Sequence, residues 1–187
     1  MLEMSVTSLR PGNYVFFDRS IFELVTYEHV KPGKGGAFVR LKMKNVESGA
    51  VLEKTCDADS RLPQVDVMEH QAQYLYRQGD QFVFMNLESF EQTEIPAEKL
   101  GRDAGFMKPE IEVKIIECEG RILGVKLPLS VALKVAETPP GVKGDTVVRG
   151  TKPATLETGV VVNVPLFINA GDTIKLDTRT GDYMERA

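Results

Sequence analysis

The sequence predicts an all-β protein built from three small modules. Helical periodicity is scarce, whereas short stretches rich in strand-forming residues recur between turn residues along the chain. A length of 187 residues is long for one small barrel and short for two full-sized domains. Short strands at regular spacing are typical of small β-barrels. We therefore predict modules at residues 1–63, 64–128 and 129–187, the last two being barrels of the oligonucleotide-binding (OB) type.

The first module is predicted to contain four strands. Turn residues at Gly12-Asn13 and at Glu47-Ser48-Gly49 separate stretches in which strand-forming residues alternate or cluster. The predicted strands are Tyr14–Phe17, Ile21–Val25, Ala37–Met43 and Val51–Thr55.

The second and third modules show the same strand-and-turn pattern. Gly79-Asp80, Glu119-Gly120 and Thr180-Gly181 mark hairpin turns, and Pro96 predicts the start of a short helix that ends at Leu100. A loop rich in proline and glycine is predicted from 139 to 153. The predicted strands are 73–78, 81–86, 111–116, 121–125, 131–135, 159–168 and 173–177.

The formal net charge of −4 is spread unevenly. Residues 29–46 contain five basic and no acidic residues, whereas residues 64–128 contain seven basic and twelve acidic residues. Because binding depends on local potential, a basic stretch on an acidic chain can still contact an anionic partner. The five basic residues are Lys31, Lys34, Arg40, Lys42 and Lys44.

Several classes of protein are disfavoured by the sequence. No apolar run approaches the length of about 18 residues that a membrane span requires, and the N-terminus does not read as a signal peptide. Cys56 and Cys118 lie far apart, which indicates two reduced thiols in a cytoplasmic protein. His29 and His70 have no clustered ligands near them, so no metal site is expected.

The segment Lys31–Phe38 is the most distinctive candidate site. Pro32 restricts one φ angle and three glycines permit conformations that other residues avoid, so Lys34 is predicted to stand exposed at a hairpin tip. The residues alone leave three readings open: an ordinary basic loop, phosphate binding through backbone N–H groups, and a Schiff-base lysine. The pattern is not that of a nucleotide P-loop, and an exposed tip lacks the desolvated amine that Schiff-base chemistry needs.

Two further features have both a structural and a functional reading. Tyr74, Tyr76, Phe82 and Phe84 alternate on predicted strands, where packing in the core is favoured over stacking on nucleotide bases. The polar, glycine-rich loop 141–146 is either a functional loop or a long turn.

Six separated motifs occur in order along the chain, and together they identify a resemblance. They are Val30–Phe38, Tyr74–Tyr76, Phe84–Asn86, Pro139–Thr146, Lys152–Phe167 and Asp177–Tyr183. With these motifs the chain resembles the bacterial translation elongation factor P family over essentially its full length. That resemblance implies an N-terminal KOW/SH3-like domain followed by two OB-fold barrels, in an L-shaped arrangement similar in shape to transfer RNA.

The resemblance also implies a function. The chain is expected to be a non-enzymatic elongation factor that binds the ribosome between the exit and peptidyl sites and orders the acceptor end of peptidyl-tRNA. It is expected to stimulate peptide-bond formation at consecutive prolines as a cytoplasmic monomer with no cofactor and no metal. The implied partners are ribosomal RNA and proteins, peptidyl-tRNA in the P site, the exit-site codon of the mRNA and a lysine-modifying enzyme. A generic single-stranded RNA-binding protein is the alternative.

Individual roles follow from the same resemblance. Lys34 matches the residue that contacts the acceptor end and that many bacteria extend by modification. Gly144, Asp145 and Thr146 match a loop that faces the exit-site codon. The basic stretch supplies expected RNA-backbone contacts. The other implied site residues are Lys31, Pro32, Gly33, Gly35 and Gly36 at the hairpin tip, Arg40, Lys42 and Lys44 on the RNA backbone, and Tyr183 and Arg186 on tRNA.

One position departs from the common pattern of the family. Gly36 stands where β-lysylated members commonly carry glutamine. A lysine at position 34 excludes the arginine-rhamnosylated subgroup. β-Lysylation, an aminopentanol-type extension and no modification therefore all stay open.

Overall fold

The computed structural model describes residues 2–31, 36–141 and 150–187. In these ranges the chain forms three sheets with little helix, which confirms the predicted all-β class. No helix among the described residues is long and apolar enough to cross a membrane.

The first sheet has six strands in the order β1-β6-β2-β3-β4-β5. Alternating apolar residues such as Leu24, Leu41 and Met43 point inward and are fully or almost fully buried, so one face of the sheet encloses a core. A short 3-10 helix, Val6–Ser8, follows the first strand. The strands are β1 (Leu2–Ser5), β2 (Tyr14–Phe17), β3 (Ser20–Val30), β4 (Phe38–Asn45), β5 (Val51–Asp57) and β6 (Arg61–Val65).

The second sheet has five strands in the order β11-β10-β7-β8-β9. A single helical turn, α1 (Ala97–Leu100), and a 3-10 helix, Gly101–Phe106, come after its third strand along the chain. The strands are β7 (Met68–Gln78), β8 (Gln81–Asn86), β9 (Gln92–Pro96), β10 (Glu112–Cys118) and β11 (Arg121–Lys126).

The third sheet also has five strands, in the order β14-β13-β12-β15-β16. Leu133, Val164, Ile168, Ile174 and Leu176 are fully buried in its core. The strands are β12 (Ser130–Glu137), β13 (Thr151–Leu156), β14 (Val161–Pro165), β15 (Thr173–Asp177) and β16 (Tyr183–Arg186).

The chain forms two compact units. The first comprises Met1–His70 together with Ile115–Val125, and the second comprises Gln71–Lys114 together with Lys126–Ala187. The division into three folding domains, like the L-shaped arrangement, stays a prediction.

In the second unit the 3-10 helix Gly101–Phe106 packs into the core of the third sheet. Phe106 is only 2% exposed and belongs to the same apolar cluster as the inward residues of that sheet. The guanidinium of Arg102 donates to the carbonyl of Thr178 at 3.2 Å. A Cβ on Gly105 would lie 2.2 Å from Cγ2 of Val160, so only glycine allows this close approach. The helical segment of the second module and the third sheet therefore form one packed body.

Most predicted strands and turns are confirmed, with three corrections. Strands β1, β6, β9 and β13 were not predicted. The predicted loop 139–153 ends early, since β13 already begins at Thr151. The predicted strand 159–168 is shorter, because Gly159 has a φ of +87° and turns the chain before β14.

Candidate nucleic-acid interface

The basic stretch lies on an antiparallel pair of strands, β3 and β4. Their register runs from Phe22 opposite Asn45 to Val30 opposite Phe38, with one bulge between Leu24 and Thr26. β3 has 11 residues and β4 has 8, so this hairpin is long. Residues 31–37 are all that connects the two strands.

The predicted hairpin-tip residues fall partly outside the described chain. Pro32, Gly33, Lys34 and Gly35 are not among the described residues, so their predicted roles stay predictions. Lys31, on the near side of this segment, is exposed. On the far side, a Cβ placed on Gly36 would meet no heavy atom within 4 Å.

The three basic residues of β4 share the outer face of the hairpin. Val39, Leu41 and Met43 alternate with them and are fully buried, so the pleat turns the intervening side chains away from the core. The structure thus brings together the three predicted RNA-backbone residues along one face. They are Arg40, Lys42 and Lys44.

Glutamates on the neighbouring strands oppose these cations, which the local charge count did not anticipate. Glu23 and Glu28 of β3 lie opposite Lys44 and Arg40. Glu53 of β5 lies opposite Lys42, and its carboxylate is 3.7 Å from the Lys42 ammonium. Directly opposed residues in an antiparallel pair share a face. The outer face of this hairpin is therefore a mixed-charge surface rather than a purely basic one.

Aromatic rings also accompany the cations of the first sheet. The Lys54 ammonium lies 3.8 Å from the centroid of the Phe17 ring, within the range of cation–π attraction. The Arg40 guanidinium lies 5.6 Å from the centroid of the Phe38 ring, next to the connection that carries Lys34.

The alternating aromatic residues of the second module belong mainly to the interior. Tyr74, Phe82 and Phe84 are at most 5% exposed, and the Tyr74 ring centroid lies 5.5 Å from each phenylalanine centroid. Tyr76 is 48% exposed because a bulge between Tyr74 and Tyr76 interrupts the register with β8. Three of the four side chains are therefore unavailable for stacking on bases.

In the third module, the residues on either side of the predicted codon loop are described. Gly144, Asp145 and Thr146 lie outside the described residues. Before them, the Thr138 hydroxyl donates to the carbonyl of Pro153 at 2.9 Å. Sequence reasoning missed this loop base altogether, because its contacts join residues on opposite sides of the loop.

The two predicted tRNA contacts near the C-terminus lie on β16. Tyr183 is partly buried against the core of the third sheet, and Arg186 is exposed. Just before this strand, the carboxylate of Asp177 accepts hydrogen bonds from the side chain and backbone of Arg179. These bonds lower the pKa of Asp177 to about 2.

Titratable groups outside the basic stretch form no metal site among the described residues. His70 Nε2 lies 3.5 Å from the Glu117 carboxylate, which is a pair rather than a ligand cluster. Cys56 and Cys118 are both free thiols, and burial raises the pKa of each. A raised thiol pKa disfavours the thiolate, which is the nucleophilic form.

Comparison with protein families covers nearly the whole chain. The model of the "Elongation factor P (EF-P) KOW-like domain" matches residues 5–62, and that of the "Elongation factor P (EF-P) OB domain" matches residues 67–125. The model described as "Elongation factor P, C-terminal" matches residues 131–186.

Individual relatives give the same result. Elongation factor P of Synechocystis sp. is 49% identical over 183 residues, which cover 98% of each chain. Elongation factor P of Symbiobacterium thermophilum is 47% identical over 184 residues, covering 98% of this chain and all of that protein. Among solved structures, eukaryotic translation initiation factor 5A from Methanococcus jannaschii matches with 28% identity and a TM-score of 0.46, covering 66% of this chain and 95% of that one. Because of the three family-model matches and the two full-length relatives, the chain belongs to the elongation factor P family, and it is a translation elongation factor.

Proposed function

We propose that the chain binds the ribosome between the exit and peptidyl sites, orders the acceptor end of peptidyl-tRNA and so stimulates peptide-bond formation at consecutive prolines. The observation that carries this proposal is the long β3–β4 hairpin. Its register is unbroken from Thr26 opposite Lys42 to Val30 opposite Phe38, and it leads on both sides to the short connection that carries Lys34. Exposed Lys31 and the open space around Gly36 leave the base of that connection accessible.

In the proposed role, the chain positions the acceptor end of peptidyl-tRNA and takes no part in the chemical step. Proline restricts its own φ angle and the conformation of the residue before it, so a proline-rich nascent chain can hold its ester carbonyl poorly for attack. A displacement of the reacting group by about 1 Å can cost about a hundredfold in rate. A cationic side chain among RNA phosphates restores the geometry through charge and hydrogen bonds without acting as acid, base or nucleophile. No enzymatic step is therefore assigned to Lys34.

The remaining proposed contacts extend over the molecule. Arg40, Lys42 and Lys44 contact RNA backbone from the outer face of the hairpin. The opposing glutamates reduce the net charge of that face, so these contacts are weaker than the local count of basic residues suggests. The proposed contact with the exit-site codon is made by Gly144, Asp145 and Thr146, and the weaker contacts with tRNA by Tyr183 and Arg186.

Three further points belong to this proposal. The protein acts in the cytoplasm as a monomer with three domains at 1–63, 64–128 and 129–187, and with no cofactor. Lys34 is either extended by a lysine-modifying enzyme or left unmodified. Mass spectrometry of the peptide containing Lys34, from protein made in its native host, distinguishes β-lysylation, an aminopentanol-type extension and an unmodified lysine.

Translation of a reporter with a Pro-Pro-Pro stretch tests the proposal. Addition of the wild-type protein is expected to relieve stalling at the stretch and to leave a reporter without prolines unchanged. Lys34→Ala is expected to lower the rate of rescue about tenfold or more, since it removes the positioning cation. Lys175→Ala is the matched control, because it also removes one lysine but lies on β15 in an ion pair with Glu185.

Two results would overturn the proposal. If the wild-type protein does not relieve stalling, the proposed role on the ribosome is wrong. If Lys34→Ala is fully active, the proposed role of Lys34 is wrong. Equal effects on proline and non-proline reporters, together with tight binding to any single-stranded RNA, would favour the generic RNA-binding alternative.

A further inference from the structure

Lys152 occupies a core position of the third sheet. Along β13 the side chains of Lys152, Ala154 and Leu156 point inward in alternation, and all three are buried. Lys152 is 5% exposed and lies opposite Val164, which is fully buried. Lysine is rarely buried to this extent unless its ammonium has a partner.

The partner of Lys152 lies on the other side of the predicted codon loop. Its ammonium donates to the carbonyl of Pro139 at 2.7 Å. Beside this bond, the Thr138 hydroxyl donates to the carbonyl of Pro153 at 2.9 Å. The two bonds cross-link the residues that precede the loop with the residues that follow it.

These side-chain bonds lie where the backbone ladder stops. The last registered pair of β12 and β13 on this side is Glu137 with Thr155, after a bulge. Pro139 and Pro153 have no N–H group and cannot donate to a ladder. Their carbonyls accept hydrogen bonds from side chains instead, so the base of the loop depends on Thr138 and Lys152.

A third contact holds the same segment. A Cβ on Gly141 would lie 2.4 Å from the carbonyl oxygen of Leu166, so the backbone at Gly141 packs directly on the chain that follows β14. The described residues before the loop are thus attached at two places. Lys152 and Thr138 attach them to β13, and Gly141 attaches them to Leu166.

Stability alone does not explain a lysine at this position. Burying an ammonium costs free energy that a hydrogen bond only partly offsets, and apolar residues that replace buried charges often stabilise a protein. Methionine would fill the same unbranched space between Val164 and its neighbours. The positive charge of Lys152 therefore contributes more to holding Pro139 in place than to stabilising the sheet.

We propose that Lys152 is the positioning residue of the third-module loop. Its ammonium holds the two described ends of the loop together, and this inference rests on the proposed contact of that loop with the exit-site codon. Removal of the ammonium then weakens binding to the ribosome without weakening the fold. A lysine that merely stabilised the sheet would instead lose stability and function together.

The test compares Lys152→Met with Lys175→Met. Both variants remove one positive charge from the third sheet, but Lys175 is half-buried and its ammonium pairs with Glu185 at 3.2 Å. Three quantities are measured in the full-length protein. They are the melting temperature, the amide hydrogen exchange of residues 136–138, 141, 151–152 and 154–156, and the concentration of protein that gives half-maximal rescue of the Pro-Pro-Pro reporter.

Lys152→Met is expected to melt at or above the wild-type temperature and to exchange faster at both ends of the loop. Its half-maximal concentration is expected to rise about tenfold with an unchanged plateau, since a hydrogen bond from a charged donor is lost. Lys152→Arg, which keeps a cation, is expected to recover part of this loss. Thr138→Val removes the neighbouring bond without touching the core and should change the same quantities less.

Unchanged hydrogen exchange in Lys152→Met would overturn the proposal whatever the ribosome assay shows. A melting temperature that falls in proportion to the loss of rescue would also overturn it, because a stabilising role would then suffice. If the wild-type protein rescues no stalling, the proposed function fails together with the codon contact. Hydrogen exchange still decides separately whether Lys152 holds the ends of the loop.

Discussion

Two loops of this protein are supported in different ways. The connection 31–37 directly follows a ladder that is unbroken from Thr26 opposite Lys42 to Val30 opposite Phe38. The loop between β12 and β13 begins where the ladder stops, at Glu137 and Thr155, and side chains hold its base. A ladder uses backbone groups that every residue except proline supplies. The backbone ladder alone therefore holds the base of the hairpin connection. In the third module, the buried ammonium of Lys152 and the hydroxyl of Thr138 hold the base of the loop.

The largest expected effect concerns the inner face of the hairpin. Leu41 is fully buried, so Leu41→Ala is expected to lower the free energy of unfolding by about 2–5 kcal/mol. Lys42→Ala, on the outer face of the same strand, should change it by at most about 1 kcal/mol, because its ion pair with Glu53 is exposed. Urea denaturation of both variants measures the difference. Similar losses would show that the hairpin depends on its charges as well as its core.

The second comparison uses one glycine from each loop. Gly141→Ala is expected to destabilise the protein by about 1–3 kcal/mol, because its Cβ would clash with the Leu166 carbonyl. Gly36→Gln should leave stability within about 0.5 kcal/mol, since its Cβ enters open space. Thermal unfolding measures both changes. A stable Gly141→Ala variant would mean that the base of the third-module loop is not closely packed.

A hydrogen bond between two side chains of the first unit makes the stability of the protein depend on pH. The Tyr14 hydroxyl donates to the Glu69 carboxylate at 2.9 Å, and burial, followed by the charge of Glu23 and this bond, raises the pKa of Tyr14. Unfolded tyrosine ionises above about pH 10, while folded Tyr14 keeps its proton. Stability from this group is therefore complete below about pH 10 and declines as the pH rises further.

Tyr14→Phe removes both the hydrogen bond and this pH dependence. The variant is expected to lose about 0.5–1.5 kcal/mol at neutral pH and to show a flatter decline in alkali than the wild type. Unfolding curves between pH 8 and about pH 11 measure the slope. Identical slopes for the two proteins would contradict the assigned role of Tyr14.

The smallest expected effect concerns the outer face of the hairpin. Glu53→Gln frees Lys42 from its opposing carboxylate, and binding to the ribosome is expected to strengthen about two- to fivefold, because exposed ion pairs contribute about 0.2–1 kcal/mol. Lys42→Ala should weaken binding and lower the salt dependence of log affinity by about one unit. Titrations at several salt concentrations measure both. An unchanged affinity for Glu53→Gln would exclude Lys42 from the interface.

Most of the fold could be predicted because alternation and flanking turns mark its strands within short stretches of sequence. Val39, Leu41 and Met43 alternate with charged residues on β4, and turns such as Gly79-Asp80 separate adjacent strands. Strands β1 and β6 were harder, because they are neighbours in the sheet but lie at opposite ends of the first module in sequence. Pro63 also lies within β6, and proline is rare inside strands.

The candidate site was predicted in part. The basic residues of β4 were grouped by the local charge count, and the structure adds that alternation along the strand places them on one face. The glutamates that oppose them were missed, because they lie on β3 and β5 and meet β4 only through the register. Local charge counts do not report cross-strand partners.

The sequence by itself determined the all-β class and the family of this protein, because these depend on local periodicity and on motifs in order. Only the tertiary structure decided which lysines are exposed to solvent and which are buried. In sequence, Lys42 lies between Leu41 and Met43, whereas Lys152 lies between Thr151 and Pro153 in a stretch predicted as a loop. One lies at the surface beside Glu53, and the other lies in a core beneath Pro139. Packing and register, which join residues distant in sequence, set that difference.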